Sequence, residues 1–151
     1  LEKRLEMDRD QYDASEELAR LLVDVGQPAQ ARKVLEAAKS AAPTSARPRL
    51  GLAVLAYQTG GDLAGAAAEF QALSESSEQP PLIKAEALLH LGIIQRISGE
   101  TDKAVASIDR SLEFAPDSTP AHLQKFMLLL DRNIASSARL ELDGLKGKLN
   151  D

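Results

Sequence analysis

The chain has 151 residues, enough for one domain with a buried core and short for two. Hydrophobic residues make up 44% but aromatics only 3%, with no Trp, so the core must come from Ala, Leu, Ile and Val, which suits closely packed helices. A net charge of −5 provides no basic field for phosphate backbones and argues against nucleic acid, while the absence of Cys excludes disulfides, thiolate metal sites and a Cys nucleophile.

In chain order, LEKRLEM at residues 1–7 reads as the end of one helix, and SEELARLLVDV as a helix-length apolar pattern that runs up to Gly26. The decapeptide GQPAQARKVL follows, then Pro43 eight residues beyond Leu35. The pattern recurs: RLGLAVLAYQT leads to GDLAGAAAEF, EALLHLGIIQRIS leads to GETDKAVASI, and Pro116 again falls eight residues beyond the large apolar position. Each decapeptide has Gly, four residues, Ala, three residues and a bulky apolar residue, and their starts lie 35 and 38 residues apart. Gly26, Gly61 and Gly99 thus share one role, Ala31, Ala66 and Ala104 a second, and Leu35, Phe70 and Ile108 a third.

Each role has a physical cause. A Gly after a run of helix formers supplies the left-handed residue that ends a helix, while Pro28, Asp62 and Thr101 suit the start of the next. A small residue followed four positions later by a large one lets two helices approach closely and interlock. Pro43 and Pro116 end the second helices, and SESSEQPP, with Pro80 and Pro81 as its stop, accounts for the longer middle step. Pro120–Asp131 is expected to form a fourth first helix and Ile134–Leu149 its partner. In that partner Ala138, Leu142, Leu145 and Leu149 share one face, with Asp143, Lys146 and Lys148 elsewhere.

These residues resemble the tetratricopeptide repeat family, whose unit pairs W-x2-L-G-x2-Y with A-x3-F and a closing Pro over about 34 residues. The third copy matches with Leu88, Leu91, Gly92, Gly99, Ala104, Ile108 and Pro116. The second matches with Leu50, Ala53, Tyr57, Gly61, Ala66 and Phe70, and the first with Leu18, Ala19, Leu22, Gly26, Ala31, Leu35 and Pro43. Trp is missing throughout, and the second copy lacks its Pro at the regular place. The resemblance implies an all-α, right-handed solenoid of antiparallel helix-turn-helix repeats in a single domain. Residues 1–9 are then the tail of a preceding repeat, with Arg9 where the closing Pro would stand. Residues 11–44, 46–80 and 81–117 are three repeats, and 118–151 a degenerate fourth with a capping helix. The chain is accordingly expected to begin inside a repeat of a longer array or multidomain protein.

No catalytic constellation is present. His90 and His122 lack a completing ligand set and read as structural or surface residues. The acidic run from Asp8 to Glu17 does not match a calcium loop and straddles a helix entrance, where carboxylates suit the dipole. Gly60-Gly61 is a helix-ending doublet rather than a phosphate cradle. Neither a cofactor nor a metal is expected, nor an enzyme.

The informative feature is excess hydrophobicity on the third and fourth first helices. Leu88, Leu91 and Gly92 are expected to face the hairpin partner, leaving Leu89, Ile93 and Ile97 on another face. Phe126 and Leu129 are likewise assigned to packing, leaving Leu123, Met127 and Leu130. Two readings stand: neighbouring hairpins bury these residues, or they line the concave groove that the resemblance implies. That groove continues through Gly51, Leu55 and Gln58, with Glu16, Arg20 and Arg96 as charged rim positions. Glu16, Arg20, Leu52, Leu55, Glu86 and His90 stand where some family members clamp a chaperone's C-terminal carboxylate, and these residues cannot supply such a clamp.

The function expected is a scaffold that binds a protein or peptide partner, as a segment or helix, in a partly apolar groove within a multiprotein assembly. Two alternatives remain: self-association into a homo-oligomer, and a regulatory or substrate-docking domain of a larger enzyme. No apolar run reaches the roughly 18–20 residues of a membrane span, so direct insertion is not expected. Neither charge nor composition chooses between cytoplasmic and periplasmic locations.

Overall fold

The computed structural model describes the backbone of residues 2–149 and the side chains of residues 12–134 and Ser136. Over these residues there are seven helices and no strand. They are α1 (Glu2–Asp24), α2 (Pro28–Ala41), α3 (Ala46–Gln58), α4 (Leu63–Glu75), α5 (Pro81–Ile97), α6 (Thr101–Phe114) and α7 (Thr119–Leu149). Consecutive helices pack as antiparallel neighbours, α1 also touches α3, α3 touches α5, and α5 touches α7. The even-numbered helices do not meet one another. Such one-sided contact is what a curved array produces, with α1, α3, α5 and α7 crowded on the inner side and α2, α4 and α6 splayed on the outer.

Three glycines make the hairpin turns. Gly26, Gly60 and Gly99 have φ of 76°, 70° and 77°, a region that costs L side chains energy and glycine little. In each turn the glycine N–H bonds three residues back, and the next residue's N–H bonds five back: Gly26 to Val23 and Gln27 to Leu22, Gly60 to Tyr57 and Gly61 to Ala56, Gly99 to Arg96 and Glu100 to Gln95. This pair of bonds satisfies carbonyls that a helix end would otherwise leave free. The left-handed residue of the middle turn is therefore Gly60, not the Gly61 chosen by alignment of the decapeptides. Gly61 is an added turn residue. Asp62 follows it as the cap of α4, its carboxylate accepting from Gly65 N–H at 2.7 Å. The caps Gln27, Asp62 and Glu100 each precede the recurring Ala by four positions, so the extra residue is absorbed before the second helix begins. Glu100, rather than Thr101, is the cap of α6. Pro81 opens α5 instead of closing α4, which ends at Glu75.

The small-then-large pattern builds the core. Ala31, Ala66 and Ala104 are buried, and so are Leu35, Phe70 and Ile108, four residues on and on the same helix face. Gly92 on α5 sits against Ile108: a β-carbon there would lie 2.8 Å from Ile108 Cδ1. Absence of a side chain at Gly92 sets the close crossing of α5 and α6. Ser111 of α6 fastens the same pair, its hydroxyl donating to the Ala85 carbonyl at 2.7 Å.

Both ends depart from expectation. α1 runs unbroken through Asp8–Asp10, and α7 runs unbroken through Asp131–Ile134. Neither stretch contains Gly or Pro, so nothing removes a helical hydrogen bond or demands a left-handed residue. The separate capping helix from Ile134 is thus the second half of α7. The expected stripe of Ala138, Leu142, Leu145 and Leu149, with Asp143, Lys146 and Lys148, lies outside the described side chains, as do the side chains of LEKRLEM. Among the described side chains of α7 the buried positions are Ala121 and Leu128, while Phe126 and Leu129 are more than half exposed, so the packing face is rotated from the expected one.

Candidate functional site

Three inner helices frame a cavity of about 550 Å³. Ala19 and Val23 of α1, Leu35 of α2, and Leu50, Val54 and Leu55 of α3 give it an apolar floor. Around the rim stand Asp13, Glu16, Glu17, Arg20 and Asp24 of α1, Gln58 of α3, and Glu86 and His90 of α5. The three- and four-residue spacings within each helix put these groups on one face. Gly51 keeps the floor low: a β-carbon there would fall 2.9 Å from the Tyr12 hydroxyl and 3.3 Å from Leu35 Cδ2. Tyr12 has no room to yield, because its hydroxyl donates to the Arg47 carbonyl at 2.7 Å and Arg47 lies over its ring.

The rim is acidic and its cations are already engaged. Arg20 bonds Glu17 at 2.5 Å and Asp24 at 3.1 Å, and Arg47 reaches Asp13 at 3.3 Å. Burial raises the pKa of Glu16, as do the neighbouring charges of Asp13 and Glu17, against an opposing effect of Arg47. Glu86 is raised by burial and by the charge of Glu16, again against an opposing effect of Arg47. Burial, followed by the charges of Glu16 and Glu86, also holds the Tyr12 phenol well above its usual range. Among the described residues neither Glu16 nor Glu86 makes a hydrogen bond or close ion pair.

His90 forms the wall between this cavity and a second one of about 650 Å³, to which Leu82, Leu89, Pro116 and Pro120 contribute and which also touches Glu86. The imidazole shares a hydrogen bond with the Tyr57 hydroxyl at 2.9 Å and stacks on Phe70 at 5.4 Å. Burial lowers its pKa from 6.5 to about 4, so it is neutral at pH 7. His122 is exposed, and its Nε2 donates to the Pro116 carbonyl at 2.7 Å. The described residues hold no group of three or more His, Cys, Asp or Glu side chains able to take a metal.

Five of the residues expected in a groove, Glu16, Arg20, Gly51, Leu55 and Gln58, meet around the first cavity. Leu55 and Leu89 line cavities yet are only 4% and 8% exposed, packed into core clusters rather than standing free. Curvature presses α3 on α1 and α7 on α5, and that covers them. Ile93 is half-buried against the α5–α6–α7 cluster, and Met127 is half-buried. Arg96 is bound to Asp131 at 3.4 Å. Ile97, Leu123 and Leu130 are exposed, outside both cavities. Glu86 and His90, four apart on α5, also line the cavity, although the sequence pattern does not place them in the groove. The Tyr57–His90–Phe70 cluster left no local signal, because its members come from three helices.

The Tetratricopeptide repeat family matches residues 16–81 and again 61–119, spanning the three glycine turns. The chain belongs to the tetratricopeptide repeat family. The crystal structure of MamA is similar over 97% of this chain and 86% of its own, at 21% identity and a TM-score of 0.58, a likeness of fold. No curated protein matches. Tetratricopeptide arrays serve in general as protein-interaction scaffolds without catalysis of their own, and protein partners are the class this array supports. Among the described residues no helix is long and apolar enough to cross a membrane.

Proposed function

We propose that this tetratricopeptide array is a scaffold that takes a peptide segment or helix of a partner protein into the groove between α1, α3 and α5. The observation that carries this reading is the cavity of about 550 Å³ with an apolar floor and a charged rim. Apolar floors supply binding energy and rims supply register. The groove is built on helices held by the Gly-turn hairpins, so little of the binding energy goes to ordering it. Site-specific photocrosslinking tests the reading. A photoreactive side chain at Gln58, on the rim, should capture partner protein, and one at Lys39, on the outer helix α2, should not. Equal capture from both positions would rule the groove out.

A second reading, self-association, is favoured by α7. Leu123, Phe126, Leu130 and Ile134 are 56%, 58%, 45% and 67% exposed and fall on one side of that helix. Sedimentation across a range of concentrations tests it, since a monomer throughout would remove it.

A further inference from the structure

We infer that the segment received by the α1–α3–α5 groove is cationic, carrying Lys or Arg side chains whose stems lie on the apolar floor and whose heads sit between Glu16 and Glu86. This inference rests on the groove reading above and adds the chemistry of its occupant.

The argument starts from the balance of charge. Among the described residues, five carboxylates line the cavity, those of Asp13, Glu16, Glu17, Asp24 and Glu86, against one cation, Arg20. That cation is committed to Glu17 and Asp24, and the nearby Arg47 to Asp13. Glu16, exposed on α1, and Glu86, half-buried on the opposing α5, make no hydrogen bond or close ion pair among the described residues, and the charge of Arg47 offsets only part of what raises their pKa values. The charge of Glu16 acting on the half-buried Glu86 raises the free energy of the empty groove. Neutralising the pair lowers it.

Shape then selects the kind of cation. The floor of the same cavity is apolar, formed by the half-buried Val23 and Val54 together with the buried Ala19 and Leu55. A long basic side chain lays its methylenes along such a surface and keeps its charge at the edge. A compact metal ion leaves that floor uncovered. An acidic segment or a terminal carboxylate meets repulsion from both walls.

Fluorescence anisotropy with the full chain provides the test, using two labelled amphipathic peptides with the same Leu and Ala positions, one bearing Lys and the other Glu. The Lys peptide should bind with an affinity that falls as salt rises, and the Glu peptide should not. Glu16→Gln with Glu86→Gln should weaken Lys-peptide binding about tenfold while leaving helical circular dichroism unchanged. Glu36→Gln with Glu113→Gln, the same change of charge on exposed helix faces, should leave it unchanged. Equal loss in both double variants, or equal binding of both peptides, overturns the inference. So does calorimetric binding of calcium or magnesium alone that disappears in the Glu16/Glu86 variant. A crosslinker at Gln58 separates the two levels of the argument: capture of both peptides there keeps the groove and refutes its charge selection, whereas binding without capture at Gln58 refutes the groove itself.

Discussion

The Tyr57 hydroxyl and His90 Nδ1, 33 residues apart in sequence, share a hydrogen bond of 2.9 Å, and Phe70 covers one face of the same imidazole. Rings from α3, α4 and α5 thus meet behind the groove wall, where a charged imidazole is disfavoured by burial. A base whose pKa is lowered on folding contributes stability that is complete above its unfolded pKa and is lost as pH falls through the folded one. For His90 that window runs from 6.5 down to about 4. Glu16 and Glu86, with raised pKa values, work in the opposite sense: their contribution is complete below the normal carboxylate range and lost as pH rises through their folded pKa values. A comparison of variants separates the two. Urea midpoints of the native protein and His90→Gln should lie farthest apart near pH 7 and converge toward pH 4. A constant gap would show that the imidazole is not buried as a neutral group.

The contact between Gly92 and Ile108 predicts the outcome of a substitution that helix propensity alone gets wrong. Gly92→Ala in a helix interior gains about 1 kcal/mol of propensity. Its methyl would, however, stand 2.8 Å and 2.9 Å from two carbons of Ile108 and 3.3 Å from the Ala104 carbonyl. Ile108 is fully buried and cannot withdraw. Overpacking of this kind costs about 1–3 kcal/mol, so the net effect is destabilisation. Adding Ile108→Ala should restore part of the loss, giving a coupling energy of about 1 kcal/mol in a double-mutant cycle. Strict additivity would place the two residues apart.

The paired glycines predict two different profiles from adjacent positions. At Gly60, where φ is 70°, Asn should be better tolerated than Ala, because Asn visits the left-handed region more readily. At Gly61 any β-carbon meets the Ala56 carbonyl oxygen at 2.9 Å, so Asn and Ala should cost about the same. Thermal unfolding of the four variants reads this directly. The reverse pattern would return the left-handed role to Gly61.

That pair also shows where sequence reading stops. Ala31, Ala66 and Ala104, each with its large residue four positions on, were legible because the spacing that puts both on one face is local. Choosing between Gly60 and Gly61 requires the sign of φ, which adjacent glycines leave open. Repeat register places breaks at Asp8–Asp10 and Asp131–Ile134, yet neither stretch contains a residue that ends a helix. In the groove, Glu16 and Arg20 on α1 and Gly51, Leu55 and Gln58 on α3 could be grouped by helix face alone. Burial of Leu55 and Leu89, and the roles of Glu86 and His90, depend on how far the array curves. That is set by contacts between helices more than thirty residues apart.

The outer face of α7 yields the last prediction. At 100° per residue, Leu123, Phe126, Leu130 and Ile134 cluster opposite the buried Ala121 and Leu128, so this helix carries apolar residues on two sides. One side packs on α6, helped by Lys125 to Asp109 at 2.8 Å and by an ion pair of Arg132 with Asp102. The other is apolar and uncovered, and exposed apolar faces of this kind favour association. Phe126→Ser with Leu130→Ser should therefore leave helical circular dichroism unchanged and shift sedimentation toward the monomer at high concentration. Leu128→Ser, on the buried side and 1% exposed, should instead lower stability by roughly 3 kcal/mol and loosen α7. The two variants act through different links, surface contact in one and packing in the other. Loss of helicity in the Phe126/Leu130 variant would assign that face to the interior of the fold, and unchanged sedimentation would remove it as an association surface.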